Sequence, residues 1–190
     1  MIDIELTGLE ELKKKLDPKA ADIISMRTIN RIGAMAKTEA YRAITADHDL
    51  KHKAEFKEKL KFYKSSMGEN VAFIKVKNDK DRYLSLVKWF VARKVKGSGV
   101  KFNVRKGESA NIKYAFIATM RNGMQGVFIR KNKNSRLPIR HVAGPSPTQL
   151  MGRIQTLDAI RKLIRDEFFK RFQHERKFYF DSITKKLSKK

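Results

Sequence analysis

Between Gln149 and Leu187 the chain runs without a proline, and Leu150, Ile154, Leu157, Ile160, Ile164, Phe168 and Phe172 recur on one helical stripe. A continuous helix of that length spans roughly 55 to 60 Å at about 1.5 Å per residue. A compact domain of this size has a radius of gyration of only about 16 Å. Such a helix must therefore break, with Gln173-His174 the expected place, or carry its end out to another subunit.

The rest of the chain reads as a mixture. Ile2, Ile4 and Leu6 alternate with acids as in a short strand, and Thr7 with Glu10 forms a capping box for a helix ending near Asp17-Pro18. A second helix over about residues 19–45 presents Ala20, Ile23, Ile24, Ile29, Ile32, Ala36, Ala40 and Ile44 to a core. The lysine-rich segment 51–61 reads as a short exposed helix or a basic loop. From Leu60 to Ile129, aromatic and β-branched runs predict antiparallel strands: Val71–Val76, Tyr83–Val91, Val100–Val104, Tyr114–Met120 and Gly126–Ile129. Gly97-Ser98-Gly99 supplies a hairpin turn between two of them. Trp89 and Phe90, inside a strand run, are expected in the core.

Gly144, Pro145 and Pro147 punctuate a loop, after which Thr148 caps the last helix. The fold class is thus α+β: an antiparallel sheet packed against the long helix of the N-terminal half, followed by a long C-terminal helix. Residues 1–147 are expected to form the core and residues 148–190 a helical extension of the same domain.

Charge narrows the function. The 190 residues include 44 Lys and Arg against 20 Asp and Glu, a formal charge of +24. From Arg82 to Leu157 there are 16 basic residues and one acid, Glu108. A surface this cationic attracts polyanions. Arg93, Lys94, Lys96, Lys101, Arg105 and Lys106 are expected to crowd around one hairpin tip. Arg121, Arg130, Lys131, Lys133, Arg136 and Arg140 have no nearby acid in sequence. These twelve are the candidate contacts for DNA or an acidic partner.

Catalysis finds no foothold. Cysteine is absent, and the four histidines, His48, His52, His141 and His174, are scattered without metal-ligand spacing. No GxSxG, GxxxxGK or GxGxxG occurs, and Glu10-Glu11 and Asp166-Glu167 are adjacent on helices, so their side chains diverge by about 100°. No enzyme, cofactor or metal is expected. The N-terminus lacks the basic and apolar segments of a signal peptide, and no apolar run reaches the roughly 20 residues of a membrane span. The expected place of synthesis is a host cytoplasm.

The segment AFIATMRNGMQGVFIRKNKNSRLPIRHVAGPSPTQLM, Ala115 to Met151, resembles the central signature of the minor tail protein Z family of long-tailed phages. That family has an AFIA-type strand, an NG-x-x-GVF-x-R turn and strand, then LPI and a GPS loop. MIDIELTGLEEL and the Ile/Ala-rich helix with Asn30-Arg31 also resemble its opening. The Phe-rich stretch Phe168–Phe180 is not matched to that pattern. The resemblance implies a virion protein that completes the tail at its head-proximal end. It further implies a homo-oligomeric, sixfold ring between tail terminator and head–tail connector, with phage DNA passing through.

In physical terms, Asn122, Gly123 and Gly126 let the backbone enter positive φ so that Phe116-Ile117 pairs with Val127-Phe128-Ile129. Pro138, Gly144, Pro145 and Ser146 shape the exit, either for folding alone or to dock on a neighbouring subunit. Phe168, Phe169, Phe172, Phe178, Tyr179 and Phe180 exceed what one packed stripe needs; they either fill an internal core or form an assembly interface, for which Phe168, Phe172, Phe178 and Phe180 are the candidates. The rival readings are a free, non-sequence-specific DNA-binding protein and, less favoured by the scarcity of acids, a small nuclease.

Overall fold

The structure is a computed structural model that describes residues 2–3, 17–78, 83–132 and 135–188. The capping box at Thr7 and the helix after it lie outside these residues, as does Lys133. Pro18, whose fixed φ suits a first helical turn, opens helix α1 (Pro18–Asp47). Its residues Ala20, Ile24, Ile29, Ile32, Ala36, Ala40 and Ile44 are buried at a spacing of three to five that holds them on one face; Ala21 is buried beside them, whereas Ile23, expected in the same set, is only half-buried. Helix α2 (Lys53–Lys59) follows, buries Phe56, and leads into strand β2 (Leu60–Tyr63). The alternatives of helix or loop for 51–61 thus resolve as a helix running into a strand.

The described chain divides into two compact units. Unit 1 comprises Met1–Ala40, Leu60–Val76 and Leu157–Lys190, and unit 2 comprises Tyr41–Lys59 and Lys77–Thr156. In unit 1, β1 (Ile2–Asp3) and β2 both pair antiparallel with β3 (Phe73–Val76). Gly33 marks where β2 meets α1: a Cβ there would lie 2.3 Å from the ring of Phe62. The glycine that weakens the helix is thus what admits the aromatic ring. Asn30 closes the same junction by donating to the Ser65 carbonyl at 3.0 Å and accepting from the Ser65 N–H at 2.7 Å.

Unit 2 holds two further sheets. Strand β4 (Val91–Val95) pairs with β5 (Gly99–Asn103), which pairs with β6 (Ala110–Ile112). Strand β7 (Ala115–Thr119) pairs with β8 (Gln125–Arg130), which pairs with β9 (Ile139–Val142). The expected pairing of Phe116 with Phe128 and Ile117 with Val127 is the observed register. Among the described residues, three small antiparallel sheets stand where one was expected.

Two expectations change. Tyr83–Val91 is not one strand, because Leu86–Trp89 form a helical turn, α3, capped by the Ser85 hydroxyl, which accepts from Lys88 N–H. That turn buries Leu86 and Trp89 together, which a strand would send to opposite faces. The C-terminal helix does not break near Gln173-His174. It breaks at Gly152-Arg153, separating α4 (Pro147–Met151) from α5 (Ile154–Leu187). Ser146, not Thr148, is the cap: its hydroxyl accepts from Gln149 N–H while the Gln149 side chain accepts from Ser146 N–H.

Candidate basic surface and charge cluster

The β4–β5 hairpin turns where Gly97 and Gly99 take φ of 75° and 98°. Antiparallel register sets Arg93 directly opposite Lys101, so both side chains leave the same face. Lys94 and Lys96 are also exposed, and none of the four has an acidic partner among the described residues. A shallow cavity of about 480 Å³ lies against Arg93, Lys94, Lys96 and Lys101. Like charges directly opposite destabilise a sheet by themselves. The arrangement is relieved when an anion sits over it.

Arg105 and Lys106 do not belong to that tip. They follow the far end of β5, and Arg105 is turned inward to a cluster that the sequence did not reveal. Its Nε lies 3.5 Å from Asp47 Oδ2 and its guanidinium 3.3 Å from Glu108. Arg153 approaches the same Asp47 oxygen at 3.3 Å. His48 is buried beside them, its Nδ1 donating to the Ile44 carbonyl at 3.1 Å, and its backbone bridges that of Arg105. One carboxylate thus ties the end of α1 to the loop after β5 and to the linker before α5. The signal for this was Asp47-His48 at the end of a helix, indistinguishable in sequence from a solvated terminus.

Burial pushes the His48 imidazole below the ordinary histidine value, with Arg153 and Arg105 acting in the same direction and the Ile44 carbonyl and Asp47 opposing. The folded chain therefore holds His48 neutral where the unfolded chain protonates it. Stability from this site is fully present above pH about 6.5 and is lost as pH falls from there to the lowered folded value. Urea midpoints measured from pH 7.5 to 5 should decline more steeply for the native chain than for His48→Gln. Parallel curves would refute the assignment.

In the third sheet, Asn122-Gly123 makes the expected turn: Gly123 has φ 78°, and the Asn122 side chain accepts from Met124 N–H at 3.1 Å. Gly126 does not adopt positive φ. It lies within β8, where a Cβ would come 2.8 Å from the His141 ring, so its role is room for that ring. Arg121, Arg130, Lys131, Arg136 and Arg140 are exposed, and Arg130 lies 5.7 Å above the Phe116 ring. Arg130, Lys131 and Arg140 border a cavity of about 530 Å³ with Pro138. The two basic groups thus sit on separate sheets of unit 2.

Gly144 and Pro145 are used inside unit 2. The Gly144 N–H donates to the Leu84 carbonyl at 2.9 Å, and Leu84 N–H donates to the Pro145 carbonyl at 3.2 Å. A Cβ on Gly144 would lie 2.8 Å from Phe90. The four candidate phenylalanines, all on α5, divide. Phe172 is buried and stacks on Phe168 at 6.3 Å, Phe178 receives the Arg27 guanidinium at 5.6 Å, and Phe180 is exposed.

Among the described residues no group of three His, Cys, Asp or Glu is placed to hold a metal, and no helix is long and apolar enough to cross a membrane. The family model described as prophage minor tail protein Z matches residues 6–186. No curated protein and no solved structure matches the chain.

Proposed function

Since the chain belongs to the prophage minor tail protein Z family, and is thus a structural phage tail protein, we propose that it completes the tail at its head-proximal end. In this reading copies form a sixfold ring between tail terminator and head–tail connector, with the basic surface of unit 2 turned to the DNA in the lumen. The observation that carries it is the Arg93–Lys101 pair: like charges set opposite one another by strand register, without an acid among the described residues to offset them. Phosphate binding needs only positive charge within reach, so this surface grips a duplex without reading its sequence. A passing genome demands that property.

Immunogold labelling of purified tails tests the position. Label confined to the head-proximal end is expected, and label at the distal tip or none on the virion would overturn the reading. The electrostatic part has its own measurement. Replacing Arg93 and Lys101 by Glu should lower the log–log salt slope of duplex binding by about 0.9 for each phosphate no longer neutralised. An unchanged slope would move the DNA-facing surface elsewhere. A free DNA-coating protein would instead be absent from mature particles while binding duplex as strongly.

A further inference from the structure

Helix α5 carries a second apolar seam besides the one that buries Ile160 and Phe172. Phe169, Gln173, Arg176, Phe180, Ile183 and Leu187 follow one another at alternating steps of four and three residues, the spacing that keeps side chains on one line of a helix. All six are exposed: Phe169 at 65%, Phe180 at 43%, Ile183 at 37% and Leu187 at 69%. At about 100° per residue this line lies roughly half a turn from Ile160 and about 60° from Phe172, so it borders the packed face at Phe172 and leaves it towards Leu187. Exposed large apolar side chains scattered singly are ordinary, whereas four aligned on one seam mark an interface.

Charge identifies the occupant. From Phe169 to Leu187 the helix carries six Lys and Arg against Glu175 and Asp181. Arg176 sits within the seam itself, and neither it nor Lys177 has an acidic partner among the described residues. A second copy fits poorly. Parallel pairing would set Arg176 against Arg176, and antiparallel pairing about the seam's midpoint would bring the two Lys177 side chains together. We propose that the seam docks an acidic amphipathic helix of another virion protein, its apolar residues at matching spacing and a carboxylate facing Arg176. Naming that partner a virion protein rests on the tail reading above; the chemistry of the surface does not.

The probe is a synthetic capped helical peptide with Leu at the seam positions and Glu beside them, labelled at one end and titrated with the full chain in about 0.15 M salt. Saturable binding is expected. It should weaken at least about tenfold in F169S/I183S/L187S, which keeps every charge, and in R176E/K177E, which keeps every apolar residue. Circular dichroism checks that both variants retain the helix. Should the triple variant lose it, hydrogen exchange on the native chain replaces the comparison, with peptide-dependent protection expected over residues 169–187 and its absence overturning the proposal.

Equal binding by native chain and triple variant would mean that charge alone attracts the peptide, and would overturn the proposal. Tighter binding to phosphatidylglycerol vesicles than to the peptide would do the same. So would a native mass above one chain that falls to one chain in the triple variant, which would make the seam a self-contact. Absence of the protein from tails would sink the tail reading but leave the peptide result untouched.

Discussion

Trp89→Ala should destabilise unit 2 by about 3–5 kcal/mol, the cost of removing a buried indole and leaving its cavity. Trp89 is 2% exposed and meets Phe56 and His52 edge-on at ring separations of 6.3 and 5.9 Å. The ammonium groups of Lys59 and Lys88 lie 5.1 and 5.3 Å from its ring centre, and Lys88 is also paired with Glu55 at 3.0 Å. The ring therefore joins α2 to α3 both by apolar packing and by attraction of cations to its face. Trp89→Phe should recover part of the loss, since it refills volume but offers a weaker face to the lysines. Urea unfolding followed by circular dichroism at fixed salt is the measurement. A loss under about 1 kcal/mol would show that the neighbouring residues collapse into the gap and that Trp89 does not organise this unit.

Much of the fold was legible because its signals are periodic. The buried face of α1 follows the Ile and Ala spacing except that Ala21 is buried and Ile23 only half-buried, and the Gly97 and Asn122-Gly123 turns are the tight reversals their conformational freedom predicts. What misled was context. Tyr83–Val91 is rich in strand-forming residues, yet Ser85 caps a helical turn there, because burying Leu86 and Trp89 on one side outweighs local preference. The break at Gly152 was hidden by an apolar rhythm that continues across it, while Gln173-His174, polar and so suspect, stays helical because both side chains face water.

The site was legible in its charge and not in its geometry. Composition alone points to a basic surface, whereas register places Arg93 beside Lys101 and turns Arg105 inward to Asp47. Closeness along the chain groups Arg105 and Lys106 with the hairpin tip, but strand length decides which end of a strand a residue occupies. Composition likewise groups the four phenylalanines, but helical phase separates buried Phe172 from exposed Phe180 and joins the latter to Phe169, Ile183 and Leu187. Phase is readable in the sequence. Which phase faces the core is not.

Gly99→Ala is the second large effect expected, and Gly97→Ala in the same turn is its control. Both glycines have positive φ, 75° at Gly97 and 98° at Gly99, so an alanine at either is strained by about 1–2 kcal/mol. At Gly97 nothing lies within 4 Å of the added methyl group, and the cost should stop there. At Gly99 the methyl group would sit 2.1 Å from the Ile112 carbonyl oxygen. That obstacle is backbone, part of β6, and it cannot swing aside as a side-chain tip would. Relief requires β5 and β6 to separate, giving up the pairing of Val100 with Ile112 and Lys101 with Asn111. The total should then exceed about 3 kcal/mol, combining strain with the overpacking penalty. Because Lys101 lies on β5, the same substitution should disturb the Arg93–Lys101 pair and weaken duplex binding, whereas Gly97→Ala should leave it intact. Thermal unfolding and salt-dependent DNA binding of both variants, measured side by side, decide the matter: equal losses would mean that β6 is not fixed against β5, and that the cationic face does not depend on this sheet's register.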